Sequence, residues 1–375
     1  MRGVYRNQIK GYNVRDSQVS SSESKENRMR QGKNLILTIL VILIFFSCTK
    51  TENSKTSSKI QLVDYAGREI SLTTPAERVI VMADNAFQII KELDAIDKVV
   101  GLDSKTKGYW DLYLISKTNP ELETLPDLGK TKSPNYEQIL SLNPDLILLK
   151  GNKDIADDLQ LKTGVPVVSI VSKHGYDFEI YRVIGKLLGK EETAETVINE
   201  LKVQKEKLET LLKSVPESEK KSAYIVVQNS KNNFFRTLKN ADSLTLANIS
   251  NVATSAKKVD EWGFAEISKE EFLNWEPDFI FLDEPVSKSS ISKQNLLDDS
   301  TYQFLTAVKN NQIFVTHSFS CPKDYVFVIA EAYYYANIAY PHIISEKEYK
   351  TAINSIFEKT YGLKNYYEEW KKNHN

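Results

Sequence analysis

The longest amphipathic pattern in the chain covers residues 191–215. Apolar residues fall at Ala194, Val197, Ile198, Leu201, Leu208, Leu211 and Leu212, and Lys, Glu and Gln fill the positions between. That spacing draws one apolar stripe along a helix. Gly189 stands before the stripe and Pro216 after it, which punctuates both ends. At about 1.5 Å per residue such a helix is roughly 37 Å long, enough to cross a domain. On either side of it the pattern repeats. Residues 136–149 read YEQILSLNPDLILL and residues 269–282 read KEEFLNWEPDFIFL. Glu137 matches Glu270, Leu140 matches Leu273, and Pro144-Asp145 matches Pro277-Asp278, all at an offset of 133 residues. Each copy predicts an amphipathic helix, a turn at Pro-Asp and a short buried strand.

The other elements alternate around these two copies. In the first half a hairpin is predicted over residues 60–72, with Ala66-Gly67 at its turn. Strands are predicted over residues 78–82, 98–102, 145–149 and 166–171, and helices over 86–93, 154–163 and 177–188. Residues 103–110 read as a long loop. In the second half strands are predicted over residues 222–228, 279–282 and 312–316, and helices over 244–249, 296–308 and 325–340. The tail, residues 346–375, reads as one or two helices packing back on the body. Strands alternating with helices imply a mostly parallel sheet covered on both faces. In such sheets ligands gather beyond the carboxyl ends of the strands.

The amino-terminal region has a different character. Residues 1–28 are polar and without period, and Met29 is a plausible true start. Arg30 and Lys33 precede an apolar stretch over residues 35–46, and Ser47-Cys48 follows. A basic segment, a short apolar segment and a small residue before cysteine make a secretory signal. About twelve apolar residues are too few to span a hydrocarbon core of ~30 Å. The cysteine resembles that of the bacterial lipoprotein lipobox, which would make lipidated Cys48 the first mature residue. An uncut signal anchor is the rival reading. Residues 49–59 are Ser-, Thr- and Lys-rich and read as a flexible tether.

Charge and composition exclude some functions. With 49 basic and 50 acidic residues in 375, the formal net charge is −1, which is no nucleic-acid footprint. Of two cysteines one is consumed by lipidation, so no disulfide framework is expected. No G-x-S-x-G elbow, Gly-rich phosphate loop or H-E-x-x-H is present. His174, His342 and His374 are scattered and suggest no zinc cluster, and Cys321 reads as an inert buried thiol.

Laid out in order, the chain resembles the periplasmic binding proteins of ABC importers for ferric siderophores, haem and cobalamin. DYAGREISLTTPAERVIV looks like the family's opening hairpin and first strand. PNYEQILSLNPDLILL and ISKEEFLNWEPDFIFLD look like its two repeat motifs. YIVVQNSKNNFF, EWGFAEIS and ANIAYPH are similar to pieces of its second lobe. Three departures stand out. Gln88 replaces a frequent Glu, Asp94 replaces the Gly that ends the first helix, and residues 248–251 lack a glycine pair.

The resemblance implies an α/β fold of two Rossmann-like lobes joined by a single long connecting helix. The expected organisation is a signal region (residues 1–47), a lipidated tether (48–59), an amino-terminal lobe (60–190), the connecting helix (191–215), a carboxyl-terminal lobe (216–341) and a helical tail (342–375). The implied function is a non-enzymatic, lipid-anchored, extracytoplasmic substrate-binding protein without a cofactor. It would capture an iron–siderophore, haem or corrinoid between its lobes for a permease and its ATPase. A receptor feeding a signalling partner and an enzyme on the same fold are the alternatives. A single helix at the joint predicts a smaller hinge closure than several strands would allow.

Glu137 and Glu270 stand at the start of their helices, where the helix dipole favours an anion. The resemblance implies a further role, docking onto permease arginines. It also places Tyr109, Trp110, Arg236, Trp262 and His317 in loops near the cleft. Aromatic rings there could stack on a macrocycle or catecholate. Arg236, Lys105 or Lys107 could neutralise an anionic chelate. Core packing is the plain alternative for Trp262, and an ordinary polar loop residue for His317.

Overall fold

The structure, a computed structural model, describes residues 58–170, 178–227, 233–260, 263–283, 292–316 and 324–372. Cys48, His174, Trp262, His317, Cys321 and His374 lie outside the described residues. The first half opens on an antiparallel hairpin, β1 (Ser58–Val63) with β2 (Glu69–Thr74). Next come β3 (Val79–Met82), α1 (Asp84–Glu92), β4 (Val99–Leu102), α2 (Ser104–Gly108) and α3 (Ile115–Thr118). A two-residue pair, β5 (Gly129–Lys130) with β6 (Ser133–Pro134), leads into α4 (Tyr136–Ser141) and β7 (Leu146–Leu149). The half ends with α5 (Lys153–Thr163), β8 (Val167–Ser169) and α6 (Glu179–Leu188). The connecting helix is α7 (Glu191–Leu212). The second half holds β9 (Ser222–Val226), β10 (Arg236–Leu238), α8 (Asp242–Leu246), β11 (Ser250–Asn251) and β12 (Phe264–Glu266). Then follow α9 (Lys269–Trp275), β13 (Phe279–Asp283), α10 (Lys293–Asp298), α11 (Thr306–Lys309), β14 (Ile313–Thr316) and α12 (Tyr325–Ala339). The tail forms α13 (Glu346–Tyr361) and α14 (Tyr367–Lys372).

Two parallel four-stranded sheets carry the fold. Their orders are β4-β3-β7-β8 and β11-β9-β13-β14. Strand for strand the second order repeats the first, with β13 in the place of β7. Strands covered on both faces read as unbroken apolar runs, which is why VIVM of β3, LILL of β7 and FIFLD of β13 show no alternation.

The repeat has a physical content below the level of the sheet. Asp145 accepts the N–H groups of Glu77 at 2.8 Å and Arg78 at 3.0 Å. Asp278 accepts Ser222 N–H at 2.8 Å and its hydroxyl at 2.9 Å. In each half the Pro-Asp aspartate therefore pins the entrance of the strand that pairs with its own. The helix starts also correspond: Asn135 caps α4 through Gln138 N–H, and Ser268 caps α9 through Glu271 N–H. The residue before each proline has positive φ, 45° at Asn143 and 39° at Glu276. Asparagine tolerates that region, and glutamate does so at a cost.

Two glycine departures find their explanation in the same conformation. Asp94 has φ 53° and Asn248 φ 55°, so each adopts the left-handed turn for which glycine is the default. Three expectations are corrected. Residues 103–110 are not an open loop: Asp103 accepts Thr106 N–H and starts α2. Residues 296–308 are not one helix, because Asp299 turns its side chain onto Thr301 N–H and separates α10 from α11. The connecting helix stops at Leu212 rather than at residue 215, which shortens it to 22 residues, or about 33 Å.

The joint between the halves is helical. Ala194, Val197, Ile198, Leu201, Leu208 and Leu212 of α7 are buried, and the helix packs on α6, α12 and α13. Gly185 of α6 allows the close approach, since a Cβ there would sit 2.8 Å from the Cβ of Ala194. Helix α13 packs on α12, α7 and α1, so the tail returns from the second half to the first. Phe357 on its buried face meets Phe327, Tyr366 and Trp370 with ring centroids 5.4, 4.5 and 5.3 Å away.

Candidate ligand site at the strand carboxyl ends

Neighbouring strands β4, β3 and β7 deliver three charged residues to one edge of the first sheet. Asp84 opens α1 just past β3, Lys105 lies in α2 past β4, and Lys150 follows β7. Asp84 is buried and accepts Lys105 Nζ at 2.5 Å and Lys150 Nζ at 3.3 Å. Burial pushes its carboxyl up, but the charges of Lys150 and Lys105 together outweigh that and hold it below the usual carboxylate range. Burial pulls Lys105 down, and Asp84 more than offsets this, so the ammonium holds its proton more tightly than a free lysine. The lysine side chains are 48% and 27% exposed at Lys105 and Lys150, so both cations reach solvent. An ammonium has three N–H groups, and Lys105 commits one of them among the described residues.

Tyr109, at the end of α2, is partly exposed next to Lys105. Trp110 is not in an open loop: it is only 7% exposed and packs on Phe87, ring centroids 6.1 Å apart. Lys107 donates to the carbonyls of Glu123 at 2.6 Å and Leu125 at 2.5 Å, which makes it a brace for that turn. Lys150 was missed in the sequence, although its place gave a signal, being the first residue past a buried parallel strand.

In the second half the Arg236 carbonyl accepts Val227 N–H at 3.0 Å, which sets β10 beside the end of β9. Its guanidinium lies 4.4 Å from the Phe264 ring centroid, with Asp260 at 3.7 Å and Glu266 at 3.9 Å. The charge of Arg236 is thus stacked and flanked by acids. Trp262 and His317, and the segments that follow β9, β13 and β14, fall outside the described residues. Among the described residues no group of three His, Cys, Asp or Glu side chains could hold a metal ion, and no helix is long and apolar enough to cross a membrane. Glu137 and Glu270 are both exposed and both second in their helices, and neither forms a hydrogen bond or ion pair among the described residues.

Comparison with known proteins agrees with this architecture. Residues 79–318 match the family model described as periplasmic binding protein. The Fe(3+)-citrate-binding protein YfmC of Bacillus subtilis is 24% identical over 300 residues, covering 76% of this chain and 90% of that protein. An uncharacterized ABC transporter substrate-binding lipoprotein of the same organism, YvrC, is 21% identical over 262 residues, 68% of this chain and 77% of its own length. The solved structure of the molybdate periplasmic binding protein MolA of Haemophilus influenzae, bound to molybdate, superposes with a TM-score of 0.66 at 18% identity, covering 81% of this chain and 98% of that one. The chain belongs to the periplasmic binding protein family, as a substrate-binding protein of an ABC transporter.

Proposed function

We propose that this protein captures an anionic ferric chelate, of the siderophore or citrate type, for import. The observation that carries the reading is the pair of lysines held on buried Asp84 at the carboxyl ends of three adjacent strands. The acids of this cluster, Asp84 and Asp103, are buried while the two ammonium groups reach solvent, so positive charge faces the place where ligands of open α/β sheets bind. Exposed Tyr109 offers a ring beside it. Haem and a corrinoid are the other ligands of the resemblance, and the charge favours the more highly anionic chelate over a corrinoid. Similarity to an Fe(3+)-citrate-binding protein supports the same choice.

Delivery follows from the rest of the chain. Exposed Glu137 and Glu270, one per half at one repeat position, are the docking anions for a permease. Cys48 carries the lipid that holds the protein to the outer face of a bacterial membrane, a reading supported by the lipoprotein relative. Arg236, Trp262 and His317 complete the ligand contacts from the second half. The test is calorimetry of the purified protein against ferric citrate, a ferric catecholate siderophore, haem and cobalamin. A ferric chelate should bind with micromolar affinity or better, about −8 kcal/mol. Tighter binding of cobalamin than of either ferric chelate overturns the ligand class, and no heat with any of the four overturns the reading.

A further inference from the structure

At the opposite end of α1 from Asp84, two acids meet in the core. Glu92, in the last turn of α1, and Asp324, which caps α12, are 2% and 3% exposed. Their carboxyls flank one hydroxyl, that of Tyr361, and each acts on the other's charge. One belongs to the first half and one to the second. Tyr181 of α6 donates to Glu92 at 2.6 Å. Tyr361 of α13 lies 3.1 Å from both carboxyls, and its single proton serves one at a time. Gln88 of α1 donates its amide to Asp324 at 2.9 Å, and Val326 N–H donates at 2.8 Å. Four helices are thus tied at one buried point. Tyr325, the first residue of α12, packs against the Tyr181 ring, centroids 6.1 Å apart and planes tilted by 44°.

Among the described residues no cation balances the pair. Lys91 of α1, Arg182 and Lys186 of α6 and Lys359 of α13 form no ion pair with either acid among the described residues. Glu331, on the same helix as Asp324, is engaged elsewhere with Thr316. Two bare carboxylates in such a place would repel each other in a medium that screens poorly. One proton removes the conflict. A protonated Glu92 donates to ionised Asp324 and still accepts from Tyr181, while Asp324 accepts from Gln88, Val326 and Tyr361. With that proton each donor around the two acids meets an acceptor; without it nothing offsets the charge of one carboxylate on the other.

We propose that Glu92 and Asp324 form a proton-dependent clasp between the two halves, closed while they share one proton and loosened when it leaves. Burial, and then the charge of Asp324, push Glu92 well above the usual carboxylate range, so Glu92 is the acid that holds the shared proton. On loosening, the proton passes to solvent, and α1 parts from the start of α12. The clasp is independent of which ligand the strand ends accept.

Amide hydrogen exchange on the full-length protein in mild detergent tests this, read between pH 6 and pH 9.5 and corrected for base catalysis. Protection in peptides covering residues 86–93 and 324–330 should fall at least tenfold together, while a control peptide over β13 stays constant. Glu92→Gln supplies an amide that donates to Asp324 and accepts from Tyr181, so its protection should stay high across the range. Tyr361→Phe removes a donor that favours the ionised acids, so its midpoint should move to higher pH. Wild-type protection without pH dependence, or an equal fall in Glu92→Gln, would overturn the clasp. If Glu92→Gln fails to fold, the direction of the Tyr361→Phe shift decides, and a shift to lower pH or none refutes it.

Discussion

Removing the ammonium groups of Lys105 and Lys150, singly and together, tests the charge that faces an anionic ligand. A hydrogen bond to a charged group contributes about 1.5–3 kcal/mol. Lys105→Ala or Lys150→Ala should therefore weaken ferric chelate binding by about 10- to 150-fold. Lys150 should show the larger loss, because its side chain is 27% exposed against 48% for Lys105 and its field is less screened. The double variant should lose more than the two singles combined. It leaves buried Asp84 as an uncompensated anion turned toward an anionic ligand. At ~6 Å and an effective dielectric constant of ~20, that repulsion is about 3 kcal/mol. Adding Asp84→Asn to the double variant should then recover roughly that amount. Titration calorimetry at low and high salt reads the four variants against wild type, with thermal unfolding alongside to verify the fold. A double variant that binds within twofold of wild type, or an Asp84→Asn addition that recovers nothing, would refute the reasoning.

Glu276→Gly should raise stability by about 0.5–1 kcal/mol, seen as a higher urea midpoint, because glycine relieves the left-handed turn at φ 39°. Glu137→Arg with Glu270→Arg should abolish ligand-dependent growth in a strain carrying the cognate permease and leave ligand affinity unchanged, since a lost charge pair at an interface costs about 2–5 kcal/mol. Cys48→Ala should take up no radiolabelled fatty acid in growing cells, and equal label in wild type and variant would remove the lipid anchor. The pH profile of stability should follow the buried acids. Burial raises Asp324 to about 6 in the folded protein, whereas an unfolded aspartate titrates near 4. The folded state binds that proton more tightly, so stability should fall as pH rises from about 4 through 6, by on the order of 2–3 kcal/mol. Raised Glu92 extends the fall to higher pH. Denaturant melts that show a flat profile between pH 4 and 8 would contradict it.

Much of the fold was legible because its causes are local or periodic. The 133-residue repeat named the two central strands and the aspartates that pin their neighbours. Apolar spacing marked the connecting helix. Loss of legibility began where short side chains redirect the backbone. Asp103 starts a helix inside what reads as a loop, and Asp299 ends one inside what reads as a helix. Asp94 and Asn248 look like defects against a glycine pattern, yet both hold the turn that glycine would. At the ligand site Lys105 and Tyr109 could be singled out by residue type, but Trp110 could not be told from a core residue without its Phe87 contact. The Glu92–Asp324 pair was invisible, because nothing in either stretch hints that the two meet. Gln88 offered the nearest hint: a glutamate at that position would set a third carboxyl against Asp324, where the amide donates instead.

The return of α13 to the first half bears on the order in which the chain can be completed. Its Tyr361 hydroxyl lies 3.1 Å from Glu92 of α1 and 3.1 Å from Asp324 of α12. Residues 346–361 also cover apolar surface on α1 and α7. A chain that emerges amino end first can form the β3 sheet early. It cannot seal the core beneath α1 until nearly the last helix has arrived. The first half then stays open until synthesis is nearly complete, and a late carboxyl-terminal helix acts as the lock.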